Sequence, residues 1–141
     1  YQIARPIFVR FVGQYIATEQ DSLRDEGATV VYLARHGALL GLMGIQQVRD
    51  VDLIRHAYVS PGSQRRGVGG ALLEHLSRSA TRRMLVGTWS AAEWAIRFYR
   101  RHGFEQLSPE RSAELLKRYW TIPDRQIETS VVLAKPPLDE G

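Results

Sequence analysis

The stretch that most constrains this chain is residues 53–73, where a strand, a tight turn, a glycine-rich loop and a helix follow one another. The alternating run at 53–59 predicts the strand, and Pro61-Gly62-Ser63 ends it. Leucines at helical spacing then predict a helix over 67–80. A second strand is predicted at 84–89, so the chain contains a βαβ unit whose two strands run parallel.

The start of this helix has the features of an anion site. Gly67, Gly69 and Gly70 carry no side chain that would keep a ligand away from the backbone. The first N–H groups of a helix have no partner inside it, and the helix dipole adds partial positive charge there. Arg65 and Arg66 precede them in the sequence. The pattern predicts a site for a phosphate or a diphosphate.

Two other phosphate-binding loops do not fit this pattern. A P-loop requires Gly-Lys followed by Ser or Thr, and the sequence contains no Gly-Lys pair. A dinucleotide fingerprint places its glycines at the first strand-to-helix turn, whereas these lie in the middle of the chain at a different spacing. The loop taken alone leaves one alternative open, which is a tight connection with no ligand.

Two motifs resemble the GNAT N-acetyltransferase family. Gln64-Arg65-Arg66-Gly67-Val68-Gly69 is similar to the acyl-CoA loop of that family, Gln/Arg-x-x-Gly-x-Gly/Ala, and Tyr58-Val59-Ser60-Pro61 fits the strand end before it. Further along, residues 95–104 resemble the second signature, in which a helix ends at a tyrosine and Gly-Phe follows. The resemblance covers nearly the whole chain and implies an enzyme that transfers an acetyl group from acetyl-CoA to an amine.

The resemblance also implies which residues bind the cofactor. Main-chain groups of Ala57, Tyr58 and Val59 would hold the pantetheine arm of acetyl-CoA as a pseudo-strand. Backbone amides of the loop would hold the diphosphate. The residues of that loop are Arg65, Arg66, Gly67, Val68, Gly69 and Gly70.

Tyr99 matches the family tyrosine that usually serves as general acid near the cofactor's sulfur. Its alternative is a buried aromatic residue that follows Phe98 on a helix. One departure from the family lies seven positions earlier, where many relatives carry an asparagine that contacts the cofactor and this chain has Ala92. Ser90 or Glu93 is the candidate for supplying that contact instead.

No general base is evident, although a neutral amine must lose a proton when it attacks the thioester. Relatives often carry Glu or His at the positions that Leu53 and Arg55 occupy here. His56 is adjacent, and strict alternation points it to the opposite face of the strand unless a bulge re-aims it. His56 is therefore either the proton acceptor or a hydrogen-bonded structural histidine, and ordered water is a third route for the proton.

Arg55 and Trp89 are the candidate residues for binding the acceptor substrate. An arginine that faces the pocket would bind a carboxylate or phosphate, whereas its alternative is a surface ion pair with Asp50 or Asp52. Several aromatic residues would either line the pocket or belong to the core: Tyr15, Trp89, Tyr119 and Trp120. The acceptor that we expect from the family resemblance is a small-molecule primary amine. An amine of a protein or peptide, charged tRNA, and a non-catalytic acyl-CoA-binding module are the alternatives.

Composition narrows the class of protein. A length of 141 residues with 44% hydrophobic and 24% charged residues indicates one globular domain, which we place at 1–135 with a frayed tail at 136–141. The sequence has no cysteine, which excludes disulfides, thiolate metal sites and a cysteine nucleophile. Neither a bilayer-spanning apolar run nor a signal-peptide pattern is present, and we expect a cytoplasmic protein.

Charge and histidine spacing add two further expectations. The formal net charge of +4 would help to steer a polyanionic cofactor, while arginines spread along the chain disfavour a dedicated nucleic-acid surface. His36, His75 and His102 have no metal-ligand spacing, so no metal is assigned. A homodimer is compatible with the family resemblance.

The remaining pattern predicts an α+β fold with a mixed, mostly antiparallel sheet, a central parallel strand pair, and helices on both faces. The family resemblance implies that this central pair is splayed. Helices are predicted at 5–14, between Thr18 and Gly27, at 91–101 with Ser90 and Glu93 as a capping box, and at 109–119. A strand at 9–12 is the alternative to the first of these helices. Further strands are predicted at 29–35, 39–48, 104–107 and 126–134. The chain does not begin with Met and shows no opening alternating strand, so we expect the family's first strand to be missing through an N-terminal truncation.

Overall fold

The computed structural model of the chain describes residues 7–11, 14–20, 28–35, 38–63 and 67–136. The strands are β1 (Ile7–Phe11), β2 (Gln14–Gln20), β3 (Ala28–Arg35), β4 (Ala38–Val48), β5 (Val51–Val59), β6 (Arg83–Trp89), β7 (Glu105–Gln106) and β8 (Ser130–Lys135). The helices are α1 (Val68–Ser79), α2 (Glu93–Arg101), α3 (Pro109–Tyr119) and α4 (Asp124–Glu128), and a 3-10 turn covers Pro61–Ser63.

The strands form one open sheet in the order β1-β2-β3-β4-β5-β6-β8-β7. Neighbours pair antiparallel from β1 to β4 and among β6, β8 and β7, while β5 and β6 are parallel. This is the predicted α+β fold with a mixed, mostly antiparallel sheet and one central parallel pair. The parallel pair arises because α1 carries the chain from the end of β5 back to the start of β6.

The chain divides into two compact units, and the first comprises residues 1–47 and 54–81. It contains the antiparallel strands β1 to β4, the second half of β5, and α1. Helix α1 packs closely on β4, because a Cβ added at Gly41 would lie 2.8 Å from both Val68 Cγ1 and the Tyr58 carbonyl oxygen. The fully buried leucines of this unit are Leu33, Leu72, Leu73 and Leu76.

The second unit comprises residues 48–53 and 82–141. Its hydrophobic cluster lies on the first residues of β5, on β6 and β8, and on α3; the buried members are Val51, Leu53, Leu85, Leu107, Leu115, Leu116, Tyr119, Val132 and Ala134. One buried polar contact crosses this core, since the Ser112 hydroxyl accepts a hydrogen bond from the Val132 N–H at 3.0 Å. Trp120 lies beside Gly87 of β6, where an added Cβ would be in ordinary van der Waals contact with the indole ring at 3.4 Å.

The prediction of a helix at 5–14 is wrong, because β1 and β2 occupy this region and pair antiparallel. The apolar spacing of four and eight residues that suggested a helix is even, so it also places the same residues on one face of a strand. A strand is therefore present at 7–11, which overlaps the alternative strand at 9–12, and the expectation that no strand opens the chain is wrong. Thr18 lies inside β2 and opens no helix, and the rest of that predicted helix lies outside the described residues.

The predicted final strand at 126–134 is wrong in its first half. Residues Asp124–Glu128 form α4, and β8 begins only at Ser130. Pro123 stands at the N-cap, and its carbonyl oxygen accepts from the Gln126 and Ile127 N–H groups at 2.9 and 3.2 Å. A proline with an acidic residue after it is a helix start signal, which here prevails over the short alternation that followed.

The predicted capping box of α2 is also wrong. The helix begins at Glu93 with Ala92 as N-cap, and no side chain caps it. Ser90 instead turns to the start of β8, where its N–H and its hydroxyl both donate to the Thr129 carbonyl oxygen at 2.8 and 3.0 Å. A long-range partner of this kind leaves no trace in the local sequence. The α3 helix starts as predicted.

Candidate functional site

The N-terminus of α1 presents backbone N–H groups that come before its helical hydrogen bonds. Gly67 is the N-cap with φ of 81°, a left-handed conformation that strains any residue bearing a Cβ. No side chain caps the helix, its first turn holds no acidic residue, and the first intrahelical bond runs from Ala71 N–H to the Gly67 oxygen at 3.0 Å. The N–H groups at 68–70 therefore precede the helical ladder, as an anion site requires.

The residues of the glycine loop divide by role. The Val68 side chain is buried, so only its backbone faces the predicted ligand, whereas Gly69 and Gly70 are half-buried. Among the described atoms, a Cβ added at Gly67 would meet nothing within 4 Å, which leaves room above the helix end. The two loop residues that were expected to add charge, Arg65 and Arg66, lie outside the described residues.

The predicted pantetheine strand, residues 57–59, forms the end of β5. Its parallel register with β6 spans only 51–53, although β5 continues to Val59. The other edge of β5 is hydrogen-bonded to β4 at its end, since the Ser60 N–H donates to the Leu40 carbonyl oxygen at 2.8 Å. Ala57 and Tyr58 are exposed and Val59 is half-buried. The recorded β5–β6 register thus does not include 57–59.

Tyr99 lies on the buried face of α2, with 5% of its surface exposed. Two rings meet its ring edge to face: Phe98 at a centroid distance of 5.0 Å and Phe104 at 5.4 Å. Burial raises the pKa of the Tyr99 phenol to about 12, because an apolar environment disfavours the phenolate. At neutral pH the hydroxyl therefore keeps its proton.

The backbone of Tyr99 is fixed by the way α2 ends. Gly103 has φ of 91°, and the Phe104 N–H bonds back to the Tyr99 oxygen at 3.1 Å while Gly103 N–H bonds to the Arg100 oxygen at 3.2 Å. This pair of bonds is a Schellman motif, and the contact between the Tyr99 and Phe104 rings is the hydrophobic contact that accompanies it. The Tyr-x-x-x-Gly-Phe signature of the sequence is thus a helix terminator that also holds the tyrosine.

Arg55 is half-buried on β5, and its Nη1 donates to Gln46 Oε1 on β4 at 2.7 Å. The acidic partners expected for it are engaged elsewhere. Asp50 accepts from the Tyr119 hydroxyl at 2.6 Å, and the buried Asp52 accepts from the Arg82 N–H at 3.3 Å. Gln46 was missed by sequence reasoning, although its place in an alternating strand beside β5 would have indicated it. The backbone of His56 lies in β5, and its side chain lies outside the described residues.

The predicted aromatic residues separate into exposed and buried groups. Trp89 is 62% exposed at the end of β6, so it remains available to a ligand. Tyr119 belongs to the hydrophobic cluster and Trp120 packs against it, which places both in the core. The side chain of Tyr15 lies outside the described residues. Trp94, in the first turn of α2, is 73% exposed and was not singled out from the sequence.

Within the described part of the chain, no group of three or more His, Cys, Asp or Glu side chains stands close enough together to hold a metal ion. In that same part, none of the helices is both long and apolar enough to cross a membrane. The Ser90 hydroxyl, one candidate for the missing asparagine contact, already donates to Thr129, whereas Glu93 is exposed.

Comparison with known proteins extends this description. Residues 26–106, more than half of the chain, match the family model described as an acetyltransferase (GNAT) domain. This range includes β5, the glycine loop, α1, β6 and α2 with Tyr99. A search of the curated proteins gave no match.

Solved structures share the fold at low sequence identity. A GNAT family acetyltransferase from Elizabethkingia anophelis with acetyl-CoA bound matches with a TM-score of 0.64 and 15% identity over 88% of this chain and 98% of that one. An IAA acetyltransferase from Bacillus cereus gives 0.59 and 21% over 82% and 85%. The ribosomal-protein-S18-alanine N-acetyltransferase from Escherichia coli gives 0.54 and 22% over 74% and 66%. With its family model matched across the site, this chain belongs to the GNAT acetyltransferase family.

Proposed function

We propose that this protein is an N-acetyltransferase that moves an acetyl group from acetyl-CoA to the primary amine of a small molecule. The observation that carries the proposal is the uncapped N-terminus of α1, where Gly67 turns left-handed and no acidic side chain occupies the first turn. Such an end suits a diphosphate, and it falls within the range that matches the acetyltransferase family. The similar structure from Elizabethkingia anophelis holds acetyl-CoA, which supports the same cosubstrate here.

In this proposal the first unit binds the cosubstrate through its main chain. The amides of the loop 65–70, with the guanidinium groups of Arg65 and Arg66, bind the diphosphate. The pantetheine arm bonds to the main chain at 57–59, where the β5 backbone lies outside the β6 register. Recognition by backbone groups explains how a fold can keep its cofactor while its identity to relatives falls to 15%.

The chemical step is a direct transfer. The amine nitrogen forms a bond to the thioester carbon, the bond from that carbon to sulfur breaks, and the sulfur takes a proton from the Tyr99 hydroxyl. The amine loses its proton to His56 or to solvent water, and the Tyr99 proton is then replaced from water, so that the overall products are an amide and a thiol. A buried phenol with a pKa raised to about 12 suits this role because it arrives protonated.

Arg55 supports a small acceptor that carries an acidic group. Its guanidinium is half-buried and held by Gln46, so its orientation is fixed before a ligand arrives. The remaining N–H groups of Arg55 can then bind a carboxylate or phosphate of the acceptor. Trp89, exposed at the end of β6, is the proposed apolar contact. The amine of a protein N-terminus is the second candidate, since a fold neighbour is a ribosomal-protein alanine N-acetyltransferase.

Calorimetry on the loop tests the cosubstrate. The double variant Arg65→Ala/Arg66→Ala should bind CoA at least about tenfold more weakly than the wild type, since each lost charge-assisted bond is worth about 1.5–3 kcal/mol. Pantetheine, which lacks the diphosphate, should bind both proteins equally. Arg125→Ala removes an exposed arginine on α4 and serves as the matched control. Equal CoA affinity in the wild type and the double variant would contradict the proposal.

Thiol release from acetyl-CoA with a panel of primary amines tests the reaction. With any amine that the wild type accepts, Tyr99→Phe should lower kcat by about 10² to 10⁴, the usual contribution of a general acid, while CoA affinity stays unchanged. Acidic amines should show the lower KM, and Arg55→Gln should raise it for these amines alone. A protein that binds CoA but releases no thiol with any amine would instead be a non-catalytic acyl-CoA-binding module.

A further inference from the structure

The C-terminus of α2 is tied to the last residue of β8. Lys135 Nζ donates to the His102 carbonyl oxygen at 2.8 Å, so it satisfies one of the carbonyl groups that a helix end leaves without a partner. The aliphatic part of Lys135 covers Gly103, because a Cβ added there would lie 3.1 Å from Lys135 Cε. A cation at this end also interacts favourably with the helix dipole.

The residues that Lys135 contacts are the ones that fix Tyr99. His102 N–H and Phe104 N–H both donate to the Tyr99 carbonyl oxygen, at 3.0 and 3.1 Å, and Gly103 supplies the left-handed turn between them. The Phe104 ring then packs on the Tyr99 ring. A displacement at 102–103 is therefore transmitted to Tyr99 through two hydrogen bonds and one ring contact.

Lys135 lies on a strand that is held firmly in the sheet. β8 pairs antiparallel with β6 over its whole length, and Lys135 itself stands opposite Met84. The preceding residues of β8 are buried and Lys135 is half-buried, so the lysine stem extends from the packed sheet to the helix end. The basic residues of the last turn of α2, Arg100 and Arg101, are exposed, whereas Lys135 reaches the helix end from β8.

We propose that Lys135 is a positioning residue for Tyr99, holding the end of α2 so that the phenol is presented to the leaving sulfur in one orientation. The inference deepens the proposed function and rests on the role of Tyr99 as proton donor. A small displacement of the Tyr99 hydroxyl from its reacting position should lower kcat. Binding of acetyl-CoA should stay unchanged, because the loop that binds the diphosphate is unaltered.

The test compares three variants of the full chain. Lys135→Met keeps the apolar stem and removes the donor, Lys135→Arg keeps a cationic donor, and Lys117→Met alters an exposed lysine of α3 as the control. With an amine that the wild type accepts, Lys135→Met should lower kcat about tenfold and leave the KM for acetyl-CoA unchanged, as expected for lost positioning. Lys135→Arg should restore most of the rate, and the control should match the wild type.

A second readout follows Tyr99 directly, by NMR of protein with 13C at the tyrosine Cζ, the Tyr99 signal being assigned from its absence in Tyr99→Phe. Loosening the helix end should admit water to the ring and move the Tyr99 pKa in Lys135→Met down toward the ordinary value of 10. Should Lys135→Met fail to fold, Lys135→Gln takes its place. Its shorter side chain remains polar, but its amide group cannot extend to the His102 carbonyl oxygen.

The outcomes separate the two proposals. If Tyr99→Phe is inactive while Lys135→Met keeps the wild-type kcat, the positioning role is overturned and the proposed function stands. If Tyr99→Phe is fully active, the acid role of Tyr99 fails and the positioning role of Lys135 fails with it. If Tyr99→Phe is inactive, an unchanged Tyr99 pKa in Lys135→Met overturns the positioning role alone. A fall in kcat with an equal rise in the KM for acetyl-CoA would indicate general damage and also overturn it.

Discussion

At the scale of single residues, the protonation state of Tyr99 decides what it can do in catalysis. Burial with 5% exposure and two edge-to-face rings raises its pKa to about 12. A phenol in this state keeps its proton at any physiological pH, which is the state that the proposed proton donor needs. The proposal therefore assigns the proton of the amine to a different acceptor, His56 or water.

The pH dependence of kcat follows from this pKa. At saturating acetyl-CoA and amine, kcat should rise as the bound amine loses its proton and then stay level up to about pH 10.5, because Tyr99 remains protonated there. Thiol release measured from about pH 6 to 10.5 checks it. The Tyr99→Phe variant should give a lower curve of the same shape. A descending limb centred near pH 9 or 10 would mean that the proton donor has an ordinary pKa.

Ser112 provides a second prediction at this scale. Its fully buried hydroxyl accepts from the Val132 N–H, so Ser112→Ala leaves a backbone donor of β8 unpaired inside the core. The free energy of unfolding in urea should fall by about 1–3 kcal/mol, the usual penalty for such a group. Ser77→Ala is the matched control, since the Ser77 hydroxyl only adds a bond to the Leu73 carbonyl of its own helix. Equal losses of unfolding free energy in the two variants would show that the buried Ser112–Val132 hydrogen bond stabilises the protein no more than the bond within α1.

At the scale of elements, the approach of α1 to the sheet sets which residues β4 can carry. Gly41 lies below the helix, and a Cβ there would stand 2.8 Å from the Val68 side chain and 2.8 Å from the Tyr58 carbonyl oxygen. The Tyr58 carbonyl oxygen cannot move aside easily, because it belongs to the backbone of β5. A glycine at position 41 is thus required by the packing of α1 on β4.

Gly41→Ala tests this packing. The free energy of unfolding should fall by about 1–3 kcal/mol, as for other small-to-large changes in a filled core. CoA affinity should fall as well, since α1 presents the loop amides from the position that Gly41 permits. Gly62→Ala is the control, because nothing lies within 4 Å of a Cβ at that position. Urea titrations and CoA calorimetry on the two variants provide the comparison, and a stable Gly41→Ala protein would refute the close approach.

Elements whose signals are local were predictable from the sequence. The glycine loop, α1 and the Ser108 cap of α3, whose hydroxyl accepts from Arg111 N–H at 3.1 Å, all depend on neighbours in the chain. The first two strands were not, because an apolar spacing of four fits helix and strand alike. Ser90 and Gln46 also escaped prediction, since their partners Thr129 and Arg55 are fixed only by tertiary structure. Helix starts set by neighbours in the chain are therefore easier to predict from sequence than contacts between distant side chains.

At the scale of the whole molecule, stability should depend on pH at both ends of the range. The Tyr119 hydroxyl, followed by smaller contributions from the nearby arginines, holds the pKa of Asp50 below its ordinary value. Its stabilising effect is present above the ordinary carboxyl pKa and is lost as pH falls through the lowered one. Burial raises the pKa of Tyr119 and of Tyr99, so their contributions are complete below pH 10 and are lost as pH rises through the raised values.

The loss of stability at alkaline pH should depend mainly on one residue, Tyr99. Between about pH 9 and 12 the wild type should lose about 2–3 kcal/mol of unfolding free energy to Tyr99, since a shift of two pKa units corresponds to that amount. Lysines also titrate there, so the measured quantity is the difference between the wild type and Tyr99→Phe in urea titrations at each pH. That difference should shrink steadily above pH 10, and Tyr58→Phe, at an exposed position, should show no such trend. A constant difference across the range would mean that water reaches the Tyr99 hydroxyl, and with it that this tyrosine titrates as an ordinary phenol.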